Sequence, residues 1–127
     1  NSVIANRIHD TISAYGVGSP VIGSRADLII ADDLLDKKNT ATATSRREMK
    51  LWLYSTLISR LKMQHGRIIV IGTSWHIDDF YSTAKQEGGW VVVHVPMLSD
   101  TPELYATITY PDGYTGKTLG TPVHRGA

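Results

Sequence analysis

Apolar residues in this chain cluster in three short runs, and the spacing between the runs predicts the order of the secondary structure. The runs occupy residues 26–31, 67–72 and 90–95, with the sequences ADLIIA, RIIVIG and WVVVHV. Continuous apolar runs of this length are typical of strands that are covered on both faces of a sheet. Two weaker segments, TISAY at residues 11–15 and YATITY at residues 105–110, are strand-like. We interpret them as a half-buried strand and as part of a linker or peripheral hairpin.

Two stretches between the apolar runs predict helices. The first covers residues 45–63, where apolar side chains recur at four-residue spacing on one face: Met49, Leu53, Leu57 and Leu61. Ser45 and Glu48 form a capping-box pattern at its start, and Gly66 is a candidate left-handed cap at its end. The second helix is predicted over residues 77–87, with two acids in its first turn and a glycine pair after its end.

The resulting order of strand, helix, strand, helix, strand predicts an α/β fold. Alternation of this kind is typical of parallel strands that are joined by right-handed crossover helices. The length of 127 residues is enough for one compact domain.

Composition changes this picture little. The net charge of +1 excludes no class of partner, and the absence of cysteine excludes disulfides and thiolate zinc sites. No apolar run approaches the roughly 20 residues of a membrane span, and there is no signal-peptide pattern. The chain lacks an initiator Met and ends in a loop-like stretch, so we expect a fragment of a longer polypeptide.

Polar side chains follow the first two apolar runs. Asp32 and Asp33 come directly after the first run, and Thr73 and Ser74 follow the second. Because ligands bind beyond the carboxyl ends of parallel strands, we expect these side chains to share one edge of the sheet. An acid pair beside hydroxyls suits phosphoryl transfer with Mg²⁺. The alternative is that an acid after a strand only caps a turn, which is common.

A phosphate-binding loop of the pattern G-x-x-x-x-G-K-[ST] is not found in the chain. Residues 18–25, GSPVIGSR, carry Ser-Arg in place of the Lys-Ser or Lys-Thr pair, and no helix follows them. Residues 111–118, PDGYTGKT, begin with proline and read better as a Pro-Asp-Gly turn. If the chain belongs to an NTPase, its phosphate loop is expected upstream of Asn1.

Several separated segments together resemble the large terminase subunit of tailed bacteriophages, the ATP-driven motor that packages DNA into capsids. The resemblance runs from about residue 16 to residue 98, and a weaker resemblance is found in LGTPVH near the end. The segments, in order, are GSPVIGSRADLIIADDLLD, LYSTLISRLK, GRIIVIGTSWHIDDF and GGWVVVHVPML.

The resemblance implies a role for each matching residue. LIIADD resembles a Walker B strand, in which Asp32 would position Mg²⁺ through water and Asp33 would be the catalytic base. Many such ATPases carry Glu at the position of Asp33. IGTSWH resembles the coupling motif, with Thr73 linking the state of bound ATP to DNA movement. The family frequently has Arg at the position of Ser74, so a charged role there is not supported.

The resemblance also implies the fold, a fragment of a P-loop NTPase of the additional-strand type that lacks its phosphate-loop strand. Residues 1–98 would be the later part of the ATPase domain, and residues 99–127 a linker or peripheral hairpin toward an absent nuclease domain. The second apolar run would pair with the first on one side only. An unpaired strand edge promotes association, so we expect the isolated chain to be poorly stable or to pair in a non-native way.

For the parent protein, the resemblance implies an ATPase that moves double-stranded DNA in the host bacterial cytoplasm, transiently at the procapsid portal. Its partners would be the portal protein, the small terminase subunit and further copies in a ring, and the chain alone would not hydrolyse ATP. Two alternatives remain open. One is another P-loop ATPase such as a helicase, although Asp33-Leu34-Leu35 lacks a helicase box. The other is a non-catalytic prophage remnant.

Two further groups have competing interpretations. His76, Asp78 and Asp79 could bind a metal, but acids at a predicted helix start more often favour the helix dipole. Arg46, Arg47 and Lys50 could contact DNA phosphates, although basic residues in a helix's first turns usually face solvent.

Overall fold

The structure is a computed structural model that describes residues 12–21, 23, 25–96 and 105–119. The chain forms two compact units, one up to Trp75 and one from His76 onward. The first unit contains β1 (Leu28–Asp32), α1 (Ala43–Trp52), a π turn (Leu53–Leu57), a 3₁₀ turn (Ile58–Arg60) and β2 (Arg67–Ile71). The second contains α2 (Phe80–Glu87), β3 (Val92–His94), β4 (Tyr105–Thr109) and β5 (Thr115–Leu119). In the described part of the chain, no helix is long and apolar enough to cross a membrane.

β1 and β2 are parallel, and the helical segment between them makes the first unit a βαβ arrangement. Their register pairs Leu28 with Arg67, Ile30 with Ile69 and Asp32 with Ile71, so the pairing is continuous along both strands. A parallel pair requires a long crossover connection, and the predicted helix supplies it. The parallel order predicted for the first two apolar runs is therefore confirmed.

The two-stranded sheet is covered on one face only. Ala31 is 4% exposed, whereas Ile30 next to it is 61% exposed, and Ile69 and Ile71 of β2 are also exposed. Burial alternates along both strands, as the period of two in a strand requires. The prediction that both runs are covered on two faces is wrong for this chain, because a single crossover segment can cover only one face of the sheet. On its other side, β2 pairs with no strand among the described residues.

The first helix begins at Ala43, two residues before its predicted start at Ser45. Thr42 is the N-cap, and the backbone N–H of Ser45 donates to its Oγ1 at 3.0 Å. In return, the N–H of Thr42 donates to Oγ of Ser45 at 3.1 Å. A capping box is thus present, but it joins Thr42 and Ser45 and leaves out the exposed Glu48.

The helical segment changes geometry after Trp52 and ends at Arg60 instead of residue 63. Oγ of Ser55 donates to the carbonyl of Leu51, and Oγ of Ser59 donates to the carbonyl of Ser55, each at 2.6 Å. Serine bonds to earlier carbonyls compete with the regular helix ladder and often bend helices. The apolar stripe predicted from the sequence is nevertheless confirmed at its centre, since Leu53 and Leu57 within the π turn are buried.

Gly66 is not a left-handed cap, because positive φ angles occur at other described glycines but not here. It is required for space instead: a Cβ at this position would lie 2.6 Å from the carbonyl oxygen of Lys62 and 2.7 Å from Cβ of Leu61. The N–H of Gly66 also donates to the carbonyl of Lys62 at 2.8 Å. The chain therefore folds back tightly between the end of the helical segment and β2.

In the second unit, α2 begins at Phe80, three residues after its predicted start, and Asp79 is its N-cap. The helix ends at Glu87, and the next residue, Gly88, has a φ of 74°, which confirms the predicted glycine stop. The rings of Phe80 and Trp90 meet edge to face with centroids 5.3 Å apart. Trp90 therefore packs against the start of α2.

The third apolar run does not join a parallel sheet. β3 pairs antiparallel with β4, and β4 pairs antiparallel with β5. Val91, Val93 and Val95 are exposed, so this run is not a buried central strand either. The prediction of a third parallel strand is wrong because YATITY, which was correctly predicted as strand-like, supplies the partner. TISAY is also not a strand within its described residues 12–15.

The turn between β4 and β5 is the predicted Pro-Asp-Gly turn. The N–H of Gly113 donates to the carbonyl of Tyr110 at 2.9 Å, and Gly113 has a φ of 87°. Gly116 lies inside β5, so the Gly-Lys-Thr sequence is extended backbone and not a phosphate loop. Rejection of this stretch as a phosphate loop is confirmed. The other stretch, residues 18–25, lies partly outside the described residues.

The described part is therefore a mixed α/β structure with one parallel strand pair and one small antiparallel sheet. The narrower P-loop fold and the domain boundary after residue 98 stay predictions.

Candidate functional site

Asp32 and Asp33 lie where β1 ends, and both are exposed. Asp32 is the last residue of the strand and pairs in register with Ile71, the last residue of β2. The backbone N–H of Asp33 donates to the carbonyl of Ile71 at 2.9 Å, which continues the inter-strand bonding one residue further. Both carboxylates are therefore attached to backbone that the neighbouring strand holds.

Asp33 has a φ of 50°, and it is the one non-glycine residue with positive φ in the described part of the chain. Most side chains disfavour this left-handed conformation, whereas Asp and Asn tolerate it. The conformation turns the backbone away at the end of the strand, so the two adjacent acids do not continue the strand alternation. Backbone in a sparsely populated region is often found at functional sites.

Thr73 follows the end of β2 at the same edge of the sheet. Because the strands are parallel and Asp32 is level with Ile71, the carboxyl ends of both strands lie side by side. Thr73 is two residues beyond Ile71 and is exposed, as is Ser74. Within the described residues, no side-chain hydrogen bond joins Thr73 to either acid. The structure thus brings the predicted acid and hydroxyl positions to one edge, where the side chains of Asp32, Asp33 and Thr73 are exposed.

The loop after the acids is a compact structure that the sequence pattern did not reveal. Asp36 and Asn39 exchange two hydrogen bonds: the N–H of Asp36 donates to Oδ1 of Asn39 at 2.8 Å, and the N–H of Asn39 donates to Oδ1 of Asp36 at 2.7 Å. Nδ2 of Asn39 also donates to the carbonyl of Leu34 at 2.9 Å. The Asp-x-x-Asn spacing was the available signal, since both residue types bond to nearby backbone in turns.

Two buried leucines anchor this loop directly behind the acids. Leu34 is 7% exposed and Leu35 is 4% exposed. Thr40 is buried as well, and its Oγ1 donates to the carbonyl of Asp36 at 2.6 Å. Along the chain, the acids therefore lie between a strand ladder and a hydrogen-bonded loop that is anchored by buried residues.

The chemistry of the two carboxylates fits Mg²⁺. This ion is bound by oxygen ligands, keeps several waters and needs only one or two protein carboxylates. Among the described residues, no group of three or more His, Cys, Asp or Glu side chains could hold a metal. A site in which Asp32 holds the ion directly or through water needs no such group.

The second group of acids has a structural role. The carboxylate of Asp79 is 1% exposed and accepts from the N–H of His76 at 3.0 Å and from the N–H of Ser82 at 2.9 Å. Nδ1 of His76 accepts from the N–H of Asp78 at 3.0 Å. Asp79 is therefore the N-cap of α2, which confirms its interpretation as a helix-start residue.

Comparisons with known proteins give one relative and no family or fold. No protein-family model matches the chain, and no solved structure matches it. A curated protein, "Terminase, large subunit" of Enterobacteria phage T3, is 30% identical over 93 residues, which take in 69% of this chain. The chain spans only 15% of the length of that phage protein. Over this limited stretch, the chain is similar to the large terminase subunit of a bacteriophage.

Proposed function

We propose that this chain is part of the ATP-hydrolysing motor that packages viral double-stranded DNA, and that Asp32, Asp33 and Thr73 belong to its ATPase site. One observation carries the proposal: two acids and a hydroxyl follow neighbouring parallel strands at one edge, with Asp33 bonded to Ile71 across the strands. The partial similarity to a phage large terminase subunit supports the same function.

Asp32 is assigned to Mg²⁺, either directly or through water. Its position at the end of a strand ladder holds its backbone, and its side chain is exposed. The ion would neutralise charge on the phosphates of bound ATP. This chain contributes the carboxylate and its orientation.

Asp33 is assigned to the attacking water, as the group that orients it or accepts its proton. Adjacent strand residues point to opposite faces, so two acids in a regular strand could not serve one centre. The left-handed backbone at Asp33 breaks that alternation. This is the physical reason for proposing that neighbouring acids share a site.

Thr73 is assigned to coupling. Its hydroxyl lies beyond the end of β2, on the strand that also bonds to Asp33. If the Thr73 hydroxyl contacts the terminal phosphate of ATP, release of that phosphate changes a contact that is directly connected to β2. Since the hydroxyl has no recorded partner among the described residues, it is available to a ligand.

The remaining features of the parent protein are proposed from the terminase similarity alone. They are an upstream phosphate loop, a downstream nuclease domain, a ring of subunits, binding to the portal protein and to the small terminase subunit, and a location in the host bacterial cytoplasm. We expect the 127-residue chain alone not to hydrolyse ATP, because no phosphate loop was found in it.

Replacing Asp33 by Asn in the full-length polypeptide that carries this stretch tests the proposal. Turnover of ATP should fall by about two to four orders of magnitude, as for loss of a general base, while ATP binding persists. Asp78→Asn is the matched control, because Asp78 is an exposed acid at the start of the second unit. Unchanged turnover in Asp33→Asn, or no ATP turnover by the unmodified protein, would overturn the proposal.

A further inference from the structure

We propose that the loop after the acid pair and the start of α1 form a contact surface for the phosphate backbone of double-stranded DNA. We call it the basic platform, and its side chains are Lys37, Lys38 and Arg47. This inference deepens the function proposed above and rests on it, because it assigns the DNA contact to a place beside the ATPase site.

The charge of the chain is concentrated in this region. Residues 36–50 contain five of the 13 Lys and Arg residues but only two of the 12 Asp and Glu residues. Because the whole chain carries only +1, the rest of it has an excess of acids. A local cationic patch on a chain that is otherwise weakly acidic attracts polyanions at one place.

The loop presents its lysines from a fixed backbone. Lys37 and Lys38 are exposed and lie in the turn that the reciprocal bonds of Asp36 and Asn39 close. Thr40 anchors the end of this turn in the interior. In the described part of the chain, neither lysine side chain takes part in a hydrogen bond or an ion pair. The two ammonium groups are thus available to phosphates without giving up a protein partner.

One arginine joins the loop to the helix. Nη1 of Arg46 donates to the carbonyl of Thr40 at 2.9 Å. The end of the turn that carries the two lysines is therefore bonded to the first turns of α1. Arg47, the next residue, is exposed and has no recorded partner among the described residues. Loop and helix therefore form one surface, and the positive end of the helix dipole adds to its field.

The acids in this region do not cancel the charge. Oδ1 of Asp36 accepts the N–H of Asn39, so this carboxylate is directed into the turn. Glu48 follows Arg47 on the helix and is rotated from it by about 100° around the helix axis. The basic platform keeps a cationic excess.

The residue types favour duplex DNA over single strands. Residues 36–47, which carry the platform, contain no Phe, Tyr or Trp on which an unpaired base could stack. Lysine provides a compact point charge that suits phosphate without reading sequence. We therefore expect salt-dependent binding that is indifferent to sequence.

The position of the platform relates DNA contact to ATP hydrolysis. Only the two buried residues Leu34 and Leu35 separate the acid pair from the turn that begins at Asp36 and carries the two lysines. The loop is held by its own hydrogen bonds, so a force on Lys37 and Lys38 is transmitted to the backbone of Asp33 over a short, stiff segment.

The test is duplex binding by the 127-residue chain, measured by anisotropy of a fluorescein-labelled duplex between about 50 and 200 mM salt. The double variant Lys37→Ala/Lys38→Ala should weaken binding on the order of tenfold and reduce the slope of log affinity against log salt by about 1.8. Arg47→Ala should reduce the slope by about 0.9. Lys85→Ala is the matched control, because Lys85 is an exposed lysine in the last turn of α2.

Far-UV circular dichroism on each variant shows whether weaker binding reflects lost DNA contacts or lost folding. Arg47→Ala provides a second test, because Arg47 lies in α1 and outside the loop. The proposal is overturned if the chain does not bind the duplex, or if the double variant and Lys85→Ala bind equally. It is also overturned if polyglutamate competes as well as duplex DNA, which would indicate an acidic protein partner, or if single-stranded DNA binds more tightly than duplex. The assay contains no ATP, so its failure leaves the Asp33→Asn turnover test unaffected.

Discussion

The backbone N–H of Asp33 donates to the carbonyl of Ile71 at 2.9 Å, although Asp33 is already in a left-handed conformation with a φ of 50°. The inter-strand bond and the turn of the chain therefore occur at the same residue. This combination places the second acid at the edge of the sheet while the strand ladder still holds its backbone.

Substitutions at Asp33 should separate its backbone conformation from its charge. Asp33→Val should lower the free energy of unfolding by about 1–2 kcal/mol, because a β-branched side chain disfavours positive φ. Asp33→Asn and Asp33→Gly should leave it nearly unchanged, since both residues adopt this conformation readily. Urea unfolding of the chain measures these differences.

Asp32→Val is the control for the Asp33 series. Asp32 is exposed and lies in the regular strand, where valine is favourable. Its substitution should therefore be neutral or stabilising. Equal destabilisation by valine at both positions would contradict the role assigned to the backbone of Asp33.

Two substitutions test which residues cap the start of α1. Thr42→Ala should lower the free energy of unfolding by about 1 kcal/mol, because it leaves the N–H of Ser45 without its acceptor. Glu48→Ala should change it by less than about 0.5 kcal/mol, since this exposed side chain is not part of the capping box. Thermal unfolding of both variants is the measurement. A larger loss for Glu48→Ala than for Thr42→Ala would restore the capping box expected from the sequence.

Gly66 should not tolerate a side chain. Gly66→Ala places a Cβ 2.6 Å from the carbonyl oxygen of Lys62, and the resulting displacement of backbone should lower the free energy of unfolding by about 1–3 kcal/mol. Gly16→Ala serves as control, because its Cβ would meet only Oγ of Ser19 at 3.5 Å. Comparable effects of the two substitutions in urea unfolding would show that the close approach at Gly66 is not limiting.

The exposed face of the two-stranded sheet should promote self-association of the isolated chain. Ile30 and Ile69 form a register pair on this face and are 61% and 48% exposed. Large exposed apolar patches and unpaired strand edges both favour association. Sedimentation velocity should show concentration-dependent association that Ile30→Thr/Ile69→Thr reduces. Ile77→Thr, at an isoleucine that is 82% exposed in the other unit, should not reduce it. A chain that stays monomeric at all concentrations would contradict this expectation.

The sequence predicted those features of the fold that depend on local pattern. The first two apolar runs and the amphipathic stretch between them are visible in the sequence, and they correspond to β1, β2 and the helical segment. The third run resembles them, yet it pairs antiparallel with β4. The choice between partners depends on contacts distant in sequence, which the composition of a run does not encode. The prediction that both faces of the sheet are covered was wrong for the same reason, because coverage also depends on contacts distant in sequence.

The residues of the candidate site could be selected from the sequence, but the backbone geometry at Asp33 could not be predicted. Acids and hydroxyls after apolar runs identified Asp32, Asp33 and Thr73, and the parallel pairing brings those strand ends together. The left-handed backbone of Asp33 could not be inferred, because Asp is common both in regular turns and in this conformation. The bonds between Asp36 and Asn39 do not follow from the polarity of the loop, because they depend on the spacing of two turn-forming residues.

The buried carboxylate of Asp79 provides a final test, because it separates a helix cap from a metal ligand. Asp79→Ala removes the carboxylate that accepts from the N–H groups of His76 and Ser82, so the second unit should lose about 1–3 kcal/mol of stability. Asp78→Ala should have an effect below about 0.5 kcal/mol, since Asp78 is exposed and its backbone N–H still reaches Nδ1 of His76. Thermal unfolding followed by circular dichroism, with and without added Mg²⁺ or Zn²⁺, measures both effects. A cap predicts the same midpoint in every metal condition. If a metal raised the midpoint of the unmodified chain and Asp79→Ala abolished that increase, Asp79 would be a ligand and its carboxylate would have to leave the two backbone donors it now binds.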